Sequence, residues 1–334
     1  MAAVFYAVNV PISKILLRYI GPTTMAALLY LGAGLGIGIL SLLNWKDWKK
    51  AERLSKKDLP FVIGMIVLDI AAPIFLMLGI SYGSSANASL LGNFEIVATT
   101  VIALVIFKEV VTKRLWLAIA LITLSSILLS FDGIGSFSFS YGSLFVLLAT
   151  VCWGFENNCT RAISSKSTYE IVILKGVFSG LGALVIALIK GETIPGLWYI
   201  AAALLLGFVA YGLSIFLYVR AQSTLGAAKT SAYYAVAPFI GAFLSFVFLR
   251  EHLSWMYLAA LIVMIAGSIL VAADTLIRHH EHLHQHVFTH THDGYTHSHV
   301  VVHSHAHNHY ITDAKHGHRH SLESLEALPG AIHS

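Results

Sequence analysis

Apolar residues run in long blocks from Met1 to about Leu276, separated by short polar breaks. Each block is near the roughly 20 residues that a helix needs to cross a hydrocarbon core. The blocks are continuous rather than alternating in twos, so the pattern predicts membrane helices and not a barrel. Spans are predicted at residues 1–20, 23–43, 59–81, 86–107, 112–130, 141–161, 168–190, 196–219, 229–249 and 254–275. In the first of these, Asn9, Pro11, Lys14 and Arg18 interrupt the apolar run. It lacks a basic amino-terminal stretch and a small-residue cleavage site, and reads as a retained helix.

Composition strengthens this picture. Charged residues are only 11% of the chain, against about 25% in a soluble domain. Their placement adds an orientation. With a cytoplasmic amino terminus, the inside loops hold thirteen lysines and arginines and the outside loops four, namely Lys14, Arg18, Lys190 and Arg250. That bias predicts both termini in the cytoplasm of a multi-pass protein of the cell's inner membrane. The net charge of +4 then reports topology and calls for no nucleic acid. Cys152 and Cys159 lie seven apart on one predicted helix, too far along its axis for a disulfide.

The chain also repeats. A shift of 142 residues lays Phe107-Lys108-Glu109 on Leu249-Arg250-Glu251, Ser85-Ala86 on Ala227-Ala228, and the helix from Leu115 on the helix from Tyr257. A shift of 147 lays Tyr6-Ala7 on Trp153-Gly154 and Lys14 on Arg161. The expected units are residues 1–131 and 139–276, each with five spans. Five is odd, so the second half enters the membrane inverted, an architecture recurrent in secondary transporters. The fold class expected is all-α integral membrane, ten transmembrane helices in two inverted five-helix repeats, with a His-rich cytoplasmic tail over 278–334.

Ser223, Gly226-Ala227-Ala228, Pro238 and Arg250-Glu251, with Trp153-Gly154 and Tyr211-Gly212-Leu213-Ser214, resemble the EamA-type branch of the drug/metabolite transporter superfamily. The resemblance implies a ten-helix carrier of small molecules such as amino acids, metabolites or drugs. In the first half Ile96 stands where the second has Pro238, and Glu95 precedes it.

Ionisable groups inside the spans are costly, and face the bundle interior or a wet cavity. Asp69 and Glu95 lie near mid-span, and Glu156 shares a depth with Lys175, so those two could pair. Asp69 and Glu95 have no basic residue at matching depth. Either could serve as a proton-coupling carboxylate, with Glu95 the stronger candidate. Asn9, Asn157, Trp153 and Tyr211 complete the expected substrate and proton pathway, and Asn93, Tyr233 and Tyr234 are further polar or aromatic candidates. Gly32, Gly34, Gly36 and Gly38 make a small-residue face suited to close helix packing. Glu109 and Glu251 are expected to orient loops or cap the helix that follows each.

Beyond Arg278 the composition changes: seventeen of the eighteen histidines lie there. So few apolar residues predict disorder, while imidazole is a ligand for zinc, nickel, cobalt or copper. Asp293-Gly294 is a favoured hairpin turn. Folding about it would put His290, His292, His297 and His299 on one face, a candidate metal set. No cofactor is required, and a divalent metal on the tail is the one candidate. No predicted membrane interior contains histidine, which argues against metal as cargo. There is no HExxH or Gly-x-Ser-x-Gly motif, so an enzyme is not expected.

The expectation is a secondary transporter moving a small organic metabolite by alternating access in a lipid bilayer, with proton coupling an option. A homodimer is compatible with the sequence. The alternative is a metal-responsive or metal-transporting membrane protein whose tail senses or buffers divalent metal.

Overall fold

The computed structural model describes residues 1–43, 52–107, 111–131, 140–225, 234–251, 254–275, 277–292 and 295–310. The chain forms two compact units, Met1–Asp274 and Thr275–Ser334.

Among its described residues the first unit is helical. Its elements are α1 (Ala2–Ala7), α2 (Asn9–Leu16), α3 (Pro22–Leu43), α4 (Leu59–Tyr82), α5 (Ser85–Leu91), α6 (Phe94–Phe107) and α7 (Lys113–Leu129). Then come α8 (Tyr141–Ala162), α9 (Thr168–Ile189), α10 (Leu197–Gly207), a π-turn (Phe208–Leu213), α11 (Ser214–Leu225), α12 (Ala237–Leu249) and α13 (Trp255–Thr275). Among the described residues six helices are long and apolar enough to cross a membrane: Pro22–Leu43, Lys56–Tyr82, Ser85–Ile106, Thr168–Ile189, Leu197–Tyr218 and Trp255–Asp274. They are apolar on all sides, and large apolar side chains such as Leu42, Val105, Leu188 and Ile262 remain exposed. That outer surface suits lipid rather than water.

Helix ends follow the sequence closely, since serine and threonine caps stand where the blocks begin. Thr112, Ser140 and Ser167 each accept from a backbone N–H of the first turn of α7, α8 and α9. The interiors depart from the expected continuous spans in four places. The first span breaks at Val8, between α1 and α2. The fourth breaks at Gly92-Asn93, two poor helix formers between α5 and α6. The eighth widens into the π-turn where Gly207 and Gly212 meet α3. A break also precedes α12, at Ala235 and Val236.

Close approach explains the glycine face on α3. A Cβ on Gly32 would lie 2.1 Å from the Leu204 carbonyl oxygen, and one on Gly207 2.0 Å from that of Leu29. Gly34 and Gly176 face each other in the same way, with backbone atoms 2.3 Å from a Cβ on Gly176. Backbones this near maximise dispersion contacts where lipid gives helices no hydrophobic drive to associate. Gly36 abuts the Phe208 ring, whereas Gly38 meets nothing within 4 Å and is not part of the contact.

Glu251 corrects one expectation. It does not cap the helix that follows it. Its carboxylate accepts from Ser84 Oγ at 2.7 Å and from the N–H groups of Ser85 and Ala86 at 2.8 Å, at the start of α5 in the other half. Beside it, the Lys14 ammonium donates to the carbonyls of Ile80 (2.6 Å) and Gly83 (2.7 Å) at the end of α4. Glu192 similarly accepts from the N–H groups of Thr23 (3.1 Å) and Thr24 (2.8 Å) at the start of α3. Carboxylates at helix starts and an ammonium at a helix end both satisfy orphan backbone groups and complement the helix dipoles. Glu109 lies outside the described residues.

In the second unit β1 (Ile277–His292) pairs antiparallel with β2 (Tyr295–Tyr310). The strands pair with His292 opposite Tyr295 and His290 opposite His297, and Asp293-Gly294 lies outside the described residues. His299 stands opposite Phe288. Residues 311–334 lie outside the described residues.

Candidate functional site

A network of buried ionisable groups spans four helices of the first unit. Lys175 on α9 places its ammonium 2.8 Å from Glu156 Oε1 on α8 and 3.2 Å from Asp69 Oδ2 on α4. Asp69 is fully buried, Glu156 is 1% exposed and Lys175 9%. The Tyr30 hydroxyl on α3 donates to Asp69 Oδ1 at 2.8 Å. Thr160, one turn beyond Glu156, donates its hydroxyl to Glu156 Oε1.

The predicted pair of Glu156 and Lys175 is thus present, and Asp69 joins it. The expectation that Asp69 has no basic partner is overturned, and the reason is geometric. At 1.5 Å per residue, Asp69 lies about 15 Å from the start of α4, Lys175 about 10 Å from the start of α9 and Glu156 about 9 Å from the end of α8. The four-carbon stem of lysine covers the difference. Pro73, one turn beyond Asp69 inside α4, has no N–H for the Asp69 carbonyl and locally loosens that helix.

Glu95 forms a neighbouring group. It sits in the first turn of α6, just beyond the Gly92-Asn93 break, rather than in the middle of an unbroken helix. Asn157 on α8 donates to Glu95 Oε1 at 2.7 Å. Asn158 donates to the carbonyls of Gly154 (2.8 Å) and Thr99 (3.3 Å), and a Cβ on Gly154 would be 2.7 Å from that of Ala98. Small residues therefore bring α6 and α8 close enough for the two asparagines to reach across.

The remaining expected residues join these groups. Asn9 is fully buried and donates to the Tyr211 hydroxyl at 3.0 Å, while accepting from Ser13. The Tyr211 ring lies 5.2 Å from that of Tyr30. The Trp153 indole N–H donates to the Tyr30 hydroxyl at 3.4 Å. Tyr6 meets Tyr211 edge-on at 5.9 Å and also meets Tyr234 at 5.9 Å. Asp69, Glu156, Lys175, Asn9, Tyr211 and Trp153 are therefore one connected set, and Glu95 with Asn157 is another.

Tyr30, Thr99 and Thr160 were not singled out in the sequence. Tyr30 lies in an apolar, glycine-rich helix, where aromatic rings usually pack; its hydroxyl becomes visible only once α4 is beside it. Thr160 is at i+4 from Glu156, a spacing that does carry a local signal. His290, His292, His297 and His299 are placed by strand register alone. Among the described residues no three His, Cys, Asp or Glu side chains gather to hold a metal. Both cysteines are free thiols.

Apolar helices enclosing a charged, hydrogen-bonded interior define a multi-pass membrane protein. The model of the EamA-like transporter family matches this chain twice, over residues 1–131 and 140–273. The chain belongs to that family, whose members move small molecules across membranes. An uncharacterized transporter of Methanothermobacter thermautotrophicus is 27% identical over 285 residues, covering 80% of this chain and 82% of the relative. The uncharacterized transporter YyaM of Bacillus subtilis is 22% identical over 263 residues, covering 73% and 82%. A solved crystal structure of a protein shares the fold with TM-score 0.61 at 14% identity, over 82% of this chain and 94% of its own.

Proposed function

We propose that this protein is a secondary transporter that moves a small organic metabolite across the inner membrane by alternating access. The observation that carries the reading is the buried triad of Asp69, Lys175 and Glu156. It joins a first-half helix to two second-half helices through bonds that a substrate or a proton can exchange. Two family matches of near-equal length support two related repeats, and the five apolar spans expected in each make the second inverted. The excess of lysine and arginine in alternate loops supports cytoplasmic termini.

Glu95 is the proposed proton-coupling group. Its carboxylate is held by a neutral amide rather than by a cation, so protonation leaves no buried ammonium without its counter-ion. Flux in proteoliposomes is the test, screened over amino acids, nucleosides and divalent metals with a pH gradient imposed or collapsed. Glu95→Gln is expected to abolish gradient-driven accumulation while leaving exchange between equal pools. Gradient-driven accumulation by that variant would remove the coupling role.

The tail carries a separate proposal. The register sets His280, His282 and His284 opposite His307, His305 and His303, which favours a divalent-metal store apart from the transport path. Loss of metal tolerance with intact metabolite flux after deletion of residues 279–334 is the expected result. Unchanged metal tolerance would remove this role.

A further inference from the structure

The repeat-related helices α7 and α13 differ at their first turns. The 142-residue shift lays Lys113-Arg114-Leu115-Trp116 on Trp255-Met256-Tyr257-Leu258. Capping is kept: the Leu115 N–H donates to Thr112 Oγ1 at 3.1 Å, and the Tyr257 N–H to Ser254 Oγ at 3.0 Å. The cations are not kept, so starting such a helix does not call for them.

On α7 the cations head an apolar stripe. Lys113, Trp116, Leu117, Ala120, Leu124 and Ile127 are all exposed, and their spacing by threes and fours places them on one side of the helix. Ala118, Ile122, Ser125 and Leu129 are buried on the other side, where Ser125 donates to the Ala260 carbonyl of α13 at 2.6 Å. The exposed stripe is about 21 Å long, enough for the acyl chains of one leaflet, whose hydrocarbon is about 15 Å deep. Trp116, 49% exposed, lies one turn along from Lys113, where an indole ring suits the membrane interface. Lys113 and Arg114 are exposed, and neither is in an ion pair among the described residues. The Asp274 carboxylate, at the end of α13, accepts instead from the Thr112 hydroxyl at 2.6 Å.

A soluble anion would use the charges alone, and an uncharged lipid the stripe alone. A lipid with an anionic headgroup uses both. A phosphodiester suits the pair of cations, since a guanidinium donates to two of its oxygens at once and an ammonium adds a point charge. We propose that the exposed stripe of α7, headed by Lys113 and Arg114, is a binding site for an anionic phospholipid. On the orientation proposed above this lipid belongs to the cytoplasmic leaflet, whose surface is negative; the binding itself does not depend on that orientation.

The test mixes full-length protein in neutral detergent with phosphatidylglycerol or phosphatidylcholine of the same chains. Retained lipid is counted by mass spectrometry of the intact complex. Micelles have no leaflets, so any part the cations play in membrane insertion does not enter. Half-maximal retention of phosphatidylglycerol is expected at about tenfold lower concentration than that of phosphatidylcholine. Lys113→Gln with Arg114→Gln should remove that preference and leave phosphatidylcholine unchanged. Lys113→Arg with Arg114→Lys, which keeps both charges, should retain it. Lys56→Gln with Lys57→Gln neutralises exposed cations ahead of α4 and should change it by less than about twofold. The unfolding temperature of each variant without lipid separates a folding defect from lost binding. Equal retention of both lipids by the unaltered protein overturns the site. So does an equal loss of preference in the Lys56 and Lys57 variant, which would assign it to diffuse charge. Displacement of the lipid by glycerol phosphate at the same concentration overturns the role of the stripe. None of these measurements reads flux, so their failure leaves the transport reading standing.

Discussion

Two groups of carboxylates in the first unit are held in opposite ways. Glu251 and Glu192, at helix ends, take their hydrogen bonds mainly from backbone N–H groups. Asp69, Glu156 and Glu95, in the interior, take theirs from an ammonium, hydroxyls and an amide on other helices. A backbone donor cannot swing away without unwinding its helix, whereas a side chain can turn to a different partner. The end carboxylates are tied to backbone, and the interior ones to groups that can turn.

The largest break in this comparison is Lys175→Met. It leaves Asp69 and Glu156 buried without their cation, a change that costs about 3–5 kcal/mol in comparable buried pairs. Flux should vanish and the unfolding temperature should fall sharply; a stable variant with normal flux would show that the triad is neither structural nor functional. Glu251→Ala removes three hydrogen bonds at the start of α5 and is expected to cost about 1–2 kcal/mol, the range for a lost helix cap. Thermal melts should register that loss with the substrate half-saturation unchanged. If half-saturation shifts and stability does not, the division between the two groups fails.

Trp153→Phe sharpens the interior side. It removes the indole donor to Tyr30, a neutral hydrogen bond worth about 0.5–1.5 kcal/mol, together with part of a buried ring. A change in half-saturation of up to about tenfold, with a modest fall in unfolding temperature from the smaller ring, is the expected outcome.

The smallest effect is the acid sensitivity set by Glu192. Burial raises its pKa, but hydrogen bonds from Thr24 and Thr23 outweigh this and hold it below the ordinary carboxylate value of 4.5. A folded-state value below the unfolded one contributes stability that is present above the unfolded value. It is lost as pH falls through the folded value. The unfolding temperature should drop as the medium is acidified below about pH 4.5, and Glu192→Gln should show a shallower drop. An identical acid profile in that variant would remove the assignment.

Much of the fold was legible because hydrophobic length and capping chemistry are local. The spans at 59–81, 112–130 and 168–190 lie within one residue of α4, α7 and α9 at each end, and Thr112 and Ser167 mark where helices begin. Breaks were harder to see. Gly92-Asn93 is a visible weak point, yet the same residues tolerate a helix when a neighbour supports it. The interior pairing of Glu156 with Lys175 was legible from depth, because both sit close to a helix end. Asp69 was not, because its reach to Lys175 depends on how α4 is set beside α9.

By itself the sequence determined that this chain lives in a membrane, where most of its helices run, and that one family model matches it twice. Those properties depend on apolar length and on repetition, both written along the chain. Only the tertiary structure decided that Asp69 shares a lysine with Glu156, that Glu251 caps the helix that starts at Ser85, and that Ser85 bonds Ser245. These are contacts between residues some 90 to 170 positions apart, set by how small residues let helices approach. Depth along each helix can be counted from sequence, but the rotation and proximity that bring two side chains together arise only from packing.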